Sequence, residues 1–482
     1  MIFKNARETL IQRCSLTNVE GNFNSYTYNT NFHRENNPFG LDDLYPQCAS
    51  GATHDARERS PPPKCHQDTR LDILPRIDQW AKDTNPPQIA WLYGAVGTGK
   101  SAIAQTMTEQ WIQEGQVVIT FFFSRNSERC RVGRYLVPTL AHQLAMAIHD
   151  VSRDIVSTIH HDHALFHKAM SIQFQTLIVE PLRRLLRHDR GADLPPTIIF
   201  VMDGLNECEE DAQKEFLGVI KELRVESVTD FPCSLRFLIT SRQKPHWQIE
   251  RLLQQPFKEF PLDACKDTHK DIRKYLQSEL ASIHRSYTQS YYTSGPISQP
   301  WPPSSAIDQL TRNACGQFIY ASTVLRFIGS GYGNPSQLLN LVLNSKSSGD
   351  HKPFEIIDQL YIDIFKSTCS NIQLLNLVLG YVLASIQGLS LDQLSILCAC
   401  NRMEMLRVLH PLQSVLSIPD QSRPTELVTI PHTSFSDFLE DHHRSGRFFV
   451  NRSLYRAKLG VFFLCNKSFA CDSCSNDRSV PM

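Results

Sequence analysis

From residue 88 the chain alternates short apolar runs with helical segments. The runs cover 89–93, 117–123, 198–202 and 235–240, with a weaker fifth at 257–260. Runs of β-branched and aromatic residues separated by helices read as buried parallel strands joined by right-handed crossovers. The pattern predicts an α/β unit over 86–263, a parallel sheet with helices on both faces. Before it, 1–60 is polar, shows no helical period and is expected to be largely irregular. Pro61, Pro62 and Pro63 punctuate the chain, and 61–85 reads as a linker and a helix. That helix is expected over 69–82, with Leu71, Ile73, Leu74, Ile77 and Trp80 on one stripe. After the α/β unit, 264–350 reads as helical, with apolar stripes at 267–282 and 307–328 around a Ser-, Tyr- and Pro-rich loop at 286–305. Over 351–445 short helices are expected at 355–365, 371–386, 391–399 and 402–409. Two apolar runs follow, 412–418 and 427–430, and suggest the hairpin of a winged-helix unit. Residues 446–482 read as a tail.

Length and charge narrow the function classes. The 482 residues suit about three domains at roughly 150 residues each. Lys plus Arg and Asp plus Glu are both 49. This neutrality argues against a global grip on nucleic acid or an anionic membrane, so no specific nucleic-acid partner is expected. The 14 cysteines are too dilute for a disulfide scaffold. They suit reduced thiols and a cytoplasmic chain. The start of the chain carries charge at once and has no apolar stretch, so no secretory signal is expected. The apolar stretch 374–386 is shorter than the roughly 20 residues of a membrane span, and reads as a buried helix.

Candidate chemistry begins at Gly94, Ala95, Val96, Gly97, Thr98, Gly99, Lys100 and Ser101, which fit G-x-x-x-x-G-K-[ST] without a mismatch. An expected strand precedes them and an expected helix, from Ala102, follows. Glycines let the backbone curl so that successive amides face phosphate oxygens. The helix start adds its positive dipole end. Lys100 is expected to bridge the β- and γ-phosphates, and Ser101 to ligate Mg²⁺.

The run 197–202 ends in Asp203. An aspartate at the carboxyl end of a parallel strand can face a magnesium ion beside such a loop. Glu207, four residues on, is placed to orient or deprotonate an attacking water. Glu209 and Glu210 leave a solvated acidic turn as the other reading of Glu207. The run 235–240 leads to Ser241 and Arg242, and Arg242 is a candidate γ-phosphate sensor. Taken alone, it reads as a surface arginine.

This ordered set resembles a NACHT domain, a signal-transducing NTPase class related to the nucleotide-binding cores of NOD-like and plant resistance proteins. The flanks resemble fungal NACHT proteins of NOD-like-receptor type. They include Pro62, Pro63, Lys64, Cys65 and His66 with Thr69 and Arg70, the run from Phe121 to Arg125, Pro138 to Leu144, Phe318 to Thr323, and His432 to Leu439. The resemblance implies a STAND-type switch with slow Mg-dependent NTP hydrolysis. ADP would hold a closed state, and exchange for ATP would open it and permit self-assembly or binding of a protein partner. It implies that Gly94 to Ala102 hold the nucleotide and that Ser101 and Asp203 hold Mg²⁺. Arg242 would sense the γ-phosphate, Thr69 and Arg70 would lie near the adenine, and His432 would reach ADP from the winged helix. The role it implies is innate-immunity-like or cell-death signalling. Asn206 stands where many NACHT domains have a second acid, leaving Glu207 as the candidate base. The motif does not choose between ATP and GTP.

Two other readings stay open: a small-substrate P-loop enzyme such as a kinase, and a non-catalytic interaction fragment that keeps the fold. Cys465, Cys471 and Cys474 lack the paired four-ligand spacing of a zinc site. The basic run from Arg183 to Arg190 reads as a solvated helix end.

Overall fold

The computed structural model describes residues 8–12, 15–19, 41–84, 86–187, 195–225, 234–242, 257–262, 267–289, 301–331, 333–344, 353–368, 371–385, 388–418 and 427–465. An N-terminal antiparallel hairpin pairs β1 (Glu8–Gln12) with β2 (Ser15–Val19). The central sheet comprises β3 (Ile89–Tyr93), β4 (Val117–Phe122), β5 (Thr197–Asp203), β6 (Ser234–Ser241) and β7 (Lys258–Pro261). Its order is β4-β5-β6-β3-β7, and every pair is parallel.

Both faces of the sheet are covered, so the strands β3 to β6 are mostly apolar and buried rather than alternating, while the edge strand β7 carries Lys258 and Glu259. On one face Trp91, Phe121, Phe200 and Phe237 pack with the helices Leu136–Ala147, His149–His161 and Glu210–Val225. On the other Leu92, Phe122, Val201 and Leu238 pack with Leu74–Lys82 and Lys100–Gln113. This doubly covered parallel sheet, with the glycine loop between β3 and the helix Lys100–Gln113, is the P-loop NTPase fold.

Several local expectations are corrected. Residues 41–59 are not irregular: they form four 3-10 turns. Leu41, Leu44, Cys48, Ala49 and Ala52 enter the sheet's core. The short turns carry no 3.6-residue period, which hid them. The first helix starts at Leu74 rather than 69, because Asp68 and Arg70 take positive φ and Pro75 opens the helix. Leu71, outside that helix, is 67% exposed.

The stripe at 307–328 is two helices, Ser304–Asn313 and Phe318–Ile328, parted at Cys315 and Gly316, both with positive φ. A left-handed glycine just past a helix end terminates it. The later helices include Thr268–Gln289, Pro353–Thr368, Ile372–Ala384, Leu391–Leu397, Arg402–Leu409 and Thr433–Glu440. Capping boxes at Ser390/Gln393 and Asn401/Glu404 start two of them.

The expected hairpin is rearranged. The strand β9 (Leu427–Val428) pairs antiparallel with β8 (Leu389–Ser390), and the run 412–418 contributes one bridge, Ser417 to Thr429. Part of the expected tail is a helix, Arg452–Cys465, whose Tyr455 ring meets Tyr381 edge-on at 5.3 Å. Residues from Ile272 to Leu459 share one apolar core. No helix among the described residues is long and apolar enough to cross a membrane. Cys471 and Cys474 lie outside the described residues, as do 188–190 of the basic run.

Candidate nucleotide site

A cleft of about 1980 Å³ lies at the carboxyl ends of the strands, lined by the glycine loop, Asp203, Arg242, Phe318, Arg326 and His432. Small-ligand pockets occupy roughly 300–1,000 Å³, so one nucleotide would leave room in it.

The glycine loop has the conformation its composition permits. Gly97 and Gly99 have φ of +79° and +94°, a region open to glycine at little cost. Gly99 caps the helix Lys100–Gln113, so the first amides of that helix face the cleft end. Lys100 Nζ donates to Gly94 O and Ala95 O, each at 2.8 Å. Thr98 Oγ1 donates to Ala95 O at 2.9 Å. Val96, Ser101 and Ala102 line the same cleft.

The strand order separates β5 from β3 by β6, and a side chain of β6 organises the acid. Thr240 Oγ1 donates to Asp203 Oδ1 at 2.7 Å and accepts from Gly204 N at 2.8 Å. Asp203 is buried. Its Oδ2 and the Ser101 hydroxyl have the donor chemistry a hard divalent cation needs.

Glu207 follows a left-handed turn at Gly204. Burial pushes its carboxyl up to about 7, with Arg242 opposing and Asp203 reinforcing. Its oxygens accept from Arg125 N and Thr433 Oγ1, both at 3.4 Å. Asn206 Oδ1 accepts from Arg242 N at 3.0 Å, so this amide fixes the arginine's backbone.

The helix Thr433–Glu440 reaches the same cleft. Arg242 Nη1 lies 2.7 Å from Asp437 Oδ2, and its Nη2 donates to Thr433 Oγ1 at 3.0 Å. Arg125 Nη1 approaches Asp437 Oδ1 at 3.6 Å. His432 is that helix's N-cap: its Nδ1 accepts from Ser434 N at 3.1 Å. With Nδ1 accepting, the ring proton of the neutral form sits on Nε2. Burial, then Arg242 and Lys100, lower the His432 pKa to about 4.

Thr69 and Arg70 serve the loop's far side. Thr69 Oγ1 donates to His66 O at 2.6 Å. The buried Arg70 guanidinium donates to Thr98 O at 2.5 Å and Thr268 Oγ1 at 3.1 Å, and lies 4.8 Å from the Phe318 ring centre. Its backbone amide donates to Asp271 Oδ2 at 2.9 Å. Arg70 therefore ties the glycine loop to the following helical segment. Ile319 N adds a bond to Gly97 O at 3.1 Å.

The structure thus brings together every candidate named from the sequence. It adds several that pattern reading missed: Arg59, Arg125, Arg326 and Asp437. Arg59 stands in the supposedly irregular segment, with its guanidinium 3.3 Å from the Phe122 ring centre. Burial lowers its pKa to about 10, and Asp203 opposes the shift. Asp437 lies inside the 432–439 motif, but nothing in its spacing points to Arg242. Among the described residues no cluster of three or more His, Cys, Asp or Glu could hold a metal by itself.

A family model described as Nephrocystin 3, N-terminal, matches residues 73–242, less than half of the chain. No curated protein matches significantly. Among solved structures, the chain is similar to the ORC2 protein of Aeropyrum pernix in ADPNP and ADP complexes. That similarity has 10% identity and a TM-score of 0.36 over 84% of this chain and 96% of that one. It is also similar to AMPPCP-bound DnaA from Aquifex aeolicus, with 13% identity and a TM-score of 0.28 over 73% of this chain and 89% of that one. The functional reading therefore rests on the side chains of this molecule and on the P-loop fold that places them.

Proposed function

We propose that this chain is a nucleotide-operated switch of the NACHT or STAND class. It binds ATP or ADP with Mg²⁺ at Gly94 to Ala102 and hydrolyses the triphosphate slowly. Ser101 and Asp203 hold the metal, which neutralises phosphate charge when bound. Lys100 holds the β- and γ-phosphates, Glu207 orients water, and Arg242 answers the terminal phosphate. His432, through Nε2, reaches the diphosphate.

One observation carries this reading. The helix Thr433–Glu440, more than 150 residues from β6 in sequence, delivers Thr433 and Asp437 to Arg242 and Glu207. Metabolic kinases rarely append a winged-helix unit, so this contact favours a switch over a small-substrate phosphotransferase. In a switch, that contact is what the nucleotide changes. Regulated assembly with itself or a protein partner, in fungal immunity-like or cell-death signalling, is the role we attach to this state. The slow-turnover reading follows from Asn206, which spends its carbonyl on Arg242 rather than acting as a second acid.

The test is the nucleotide that copurifies with the full chain. Bound ADP, exchangeable for ATP and lost in Lys100→Ala, supports the switch. Nucleotide-free protein that gains no thermal stability from Mg·ADP or Mg·ATP sinks it.

A further inference from the structure

The Arg242 guanidinium already holds an anion. One arm meets Asp437 Oδ2 at 2.7 Å, and the other meets Thr433 Oγ1 at 3.0 Å. Arg125 brings a second guanidinium to within 3.6 Å of the other oxygen, Asp437 Oδ1. Two acceptor oxygens and a negative charge between two guanidinium groups reproduce what the end of a triphosphate would offer them. The place fits as well. Arg242 directly follows β6, two residues beyond Thr240, which hydrogen-bonds the Asp203 carboxylate.

We infer that Asp437 sets the discrimination between nucleoside diphosphate and triphosphate, its carboxylate occupying the Arg242 guanidinium for which a terminal phosphate must compete. The inference rests on the nucleotide reading above and adds a named competitor to it. A diphosphate ends short of Arg242 and leaves the pair intact. A triphosphate gains Arg242 only by displacing Asp437, and so releases the helix Thr433–Glu440 from β6. The pair suits such an exchange because it is partly solvated, with 23% and 26% of the two side chains exposed. Ion pairs that water reaches are worth little to stability, so a phosphate is a realistic rival. Thr433 moves with the same helix, so its hydroxyl leaves Glu207 in the same step.

The experiment titrates Mg·ADP and a Mg·β,γ-methylene ATP analogue into the full chain, as wild type, Asp437→Asn and Asp437→Glu. Asp437→Asn is expected to tighten the triphosphate analogue about tenfold and to change ADP less than twofold, tenfold being about 1.4 kcal/mol. Asp437→Glu keeps the carboxylate and is expected to stay near the wild-type ratio. If Asp437→Asn fails to fold, Thr433→Val removes the second arm's partner, together with the long 3.4 Å contact to Glu207, and leaves the Asp437 carboxylate in place. It is expected to shift the ratio in the same direction by about threefold. A ratio unchanged in Asp437→Asn and in Thr433→Val, or a triphosphate weakened by Asp437→Asn, overturns the inference while leaving nucleotide binding standing. A wild type that binds neither nucleotide overturns both.

Discussion

Arg242 and Asp437 meet at 2.7 Å across 195 residues of sequence, joining the end of the central sheet to the helix Thr433–Glu440. The pair is a direct polar link between the α/β unit and the last helices of the shared C-terminal core. Its energy is modest because both partners are partly solvated. A double-mutant cycle with Arg242→Ala and Asp437→Ala, followed by denaturant unfolding, should give a coupling of about 0.5–1 kcal/mol. That coupling should shrink as salt rises. A coupling of zero at low salt would show that the contact does not join the two parts in solution.

His432 carries two roles that substitution can separate. Its Nδ1 caps the helix, a contact worth about 1 kcal/mol, and its ring faces the nucleotide cleft. His432→Asn keeps a capping acceptor and removes the ring, whereas His432→Ala removes both. Unfolding should show a loss of about 1 kcal/mol in the alanine variant and little in the asparagine variant. ADP affinity should fall in both. If ADP binds the asparagine variant as it binds wild type, the ring makes no nucleotide contact.

Glu207 makes stability depend on pH. Burial raises its folded pKa to about 7, above the ordinary glutamate value of 4.5. The folded state therefore holds a proton that the unfolded state has released over that window. Unfolding free energy should fall as pH rises from about 4.5 to 7, by a few kcal/mol at most. Glu207→Gln, already neutral, should lose this slope. Equal pH profiles for the two proteins, measured by urea unfolding, would show that Glu207 titrates normally.

The glycine loop and the start of the helix Phe318–Ile328 touch too closely for a side chain between them. A Cβ on Gly97 would sit 2.1 Å from Ile319 Cγ2, at a φ of +79° that alanine tolerates poorly. Gly97→Ala should cost about 2 kcal/mol or more. Adding Ile319→Ala should return the steric part and leave the backbone part. Thermal unfolding of the two single variants and the double reads this. A double variant no more stable than the sum of the two single losses predicts would contradict the contact.

Legibility followed the length scale of each feature. The strands β3 to β6 are largely apolar on both faces, so their runs stand out in sequence, whereas the edge strand β7, with Lys258 and Glu259, gives a weaker signal; the phosphate loop declares itself through Gly97, Gly99, Lys100 and Ser101. Asp203 was found because it ends such a run. The 3-10 turns of 41–59 and the two-residue strand β8 escape pattern reading, because neither is long enough to show a period, whereas β9 falls inside the expected run 427–430 but pairs with β8. The break at Gly316 was hidden by apolar residues that keep a helical spacing through it. Arg70 was placed by resemblance near the base. The structure gives it a backbone carbonyl of the glycine loop, a helix start and an aromatic face, contacts from three distant segments that no local pattern encodes. Asp437 and Arg59 were missed for the same reason.

Titration calorimetry of Mg·ADP into wild type and Lys100→Ala tests the central claim most directly. Lys100 is the one ammonium on the glycine loop, and removing it takes a charge-assisted phosphate contact with it. Wild type should bind with a Kd in the micromolar range or tighter, and Lys100→Ala should weaken binding by at least about tenfold. Equal binding by both proteins, or none by either, would contradict the assignment of this loop as the nucleotide site.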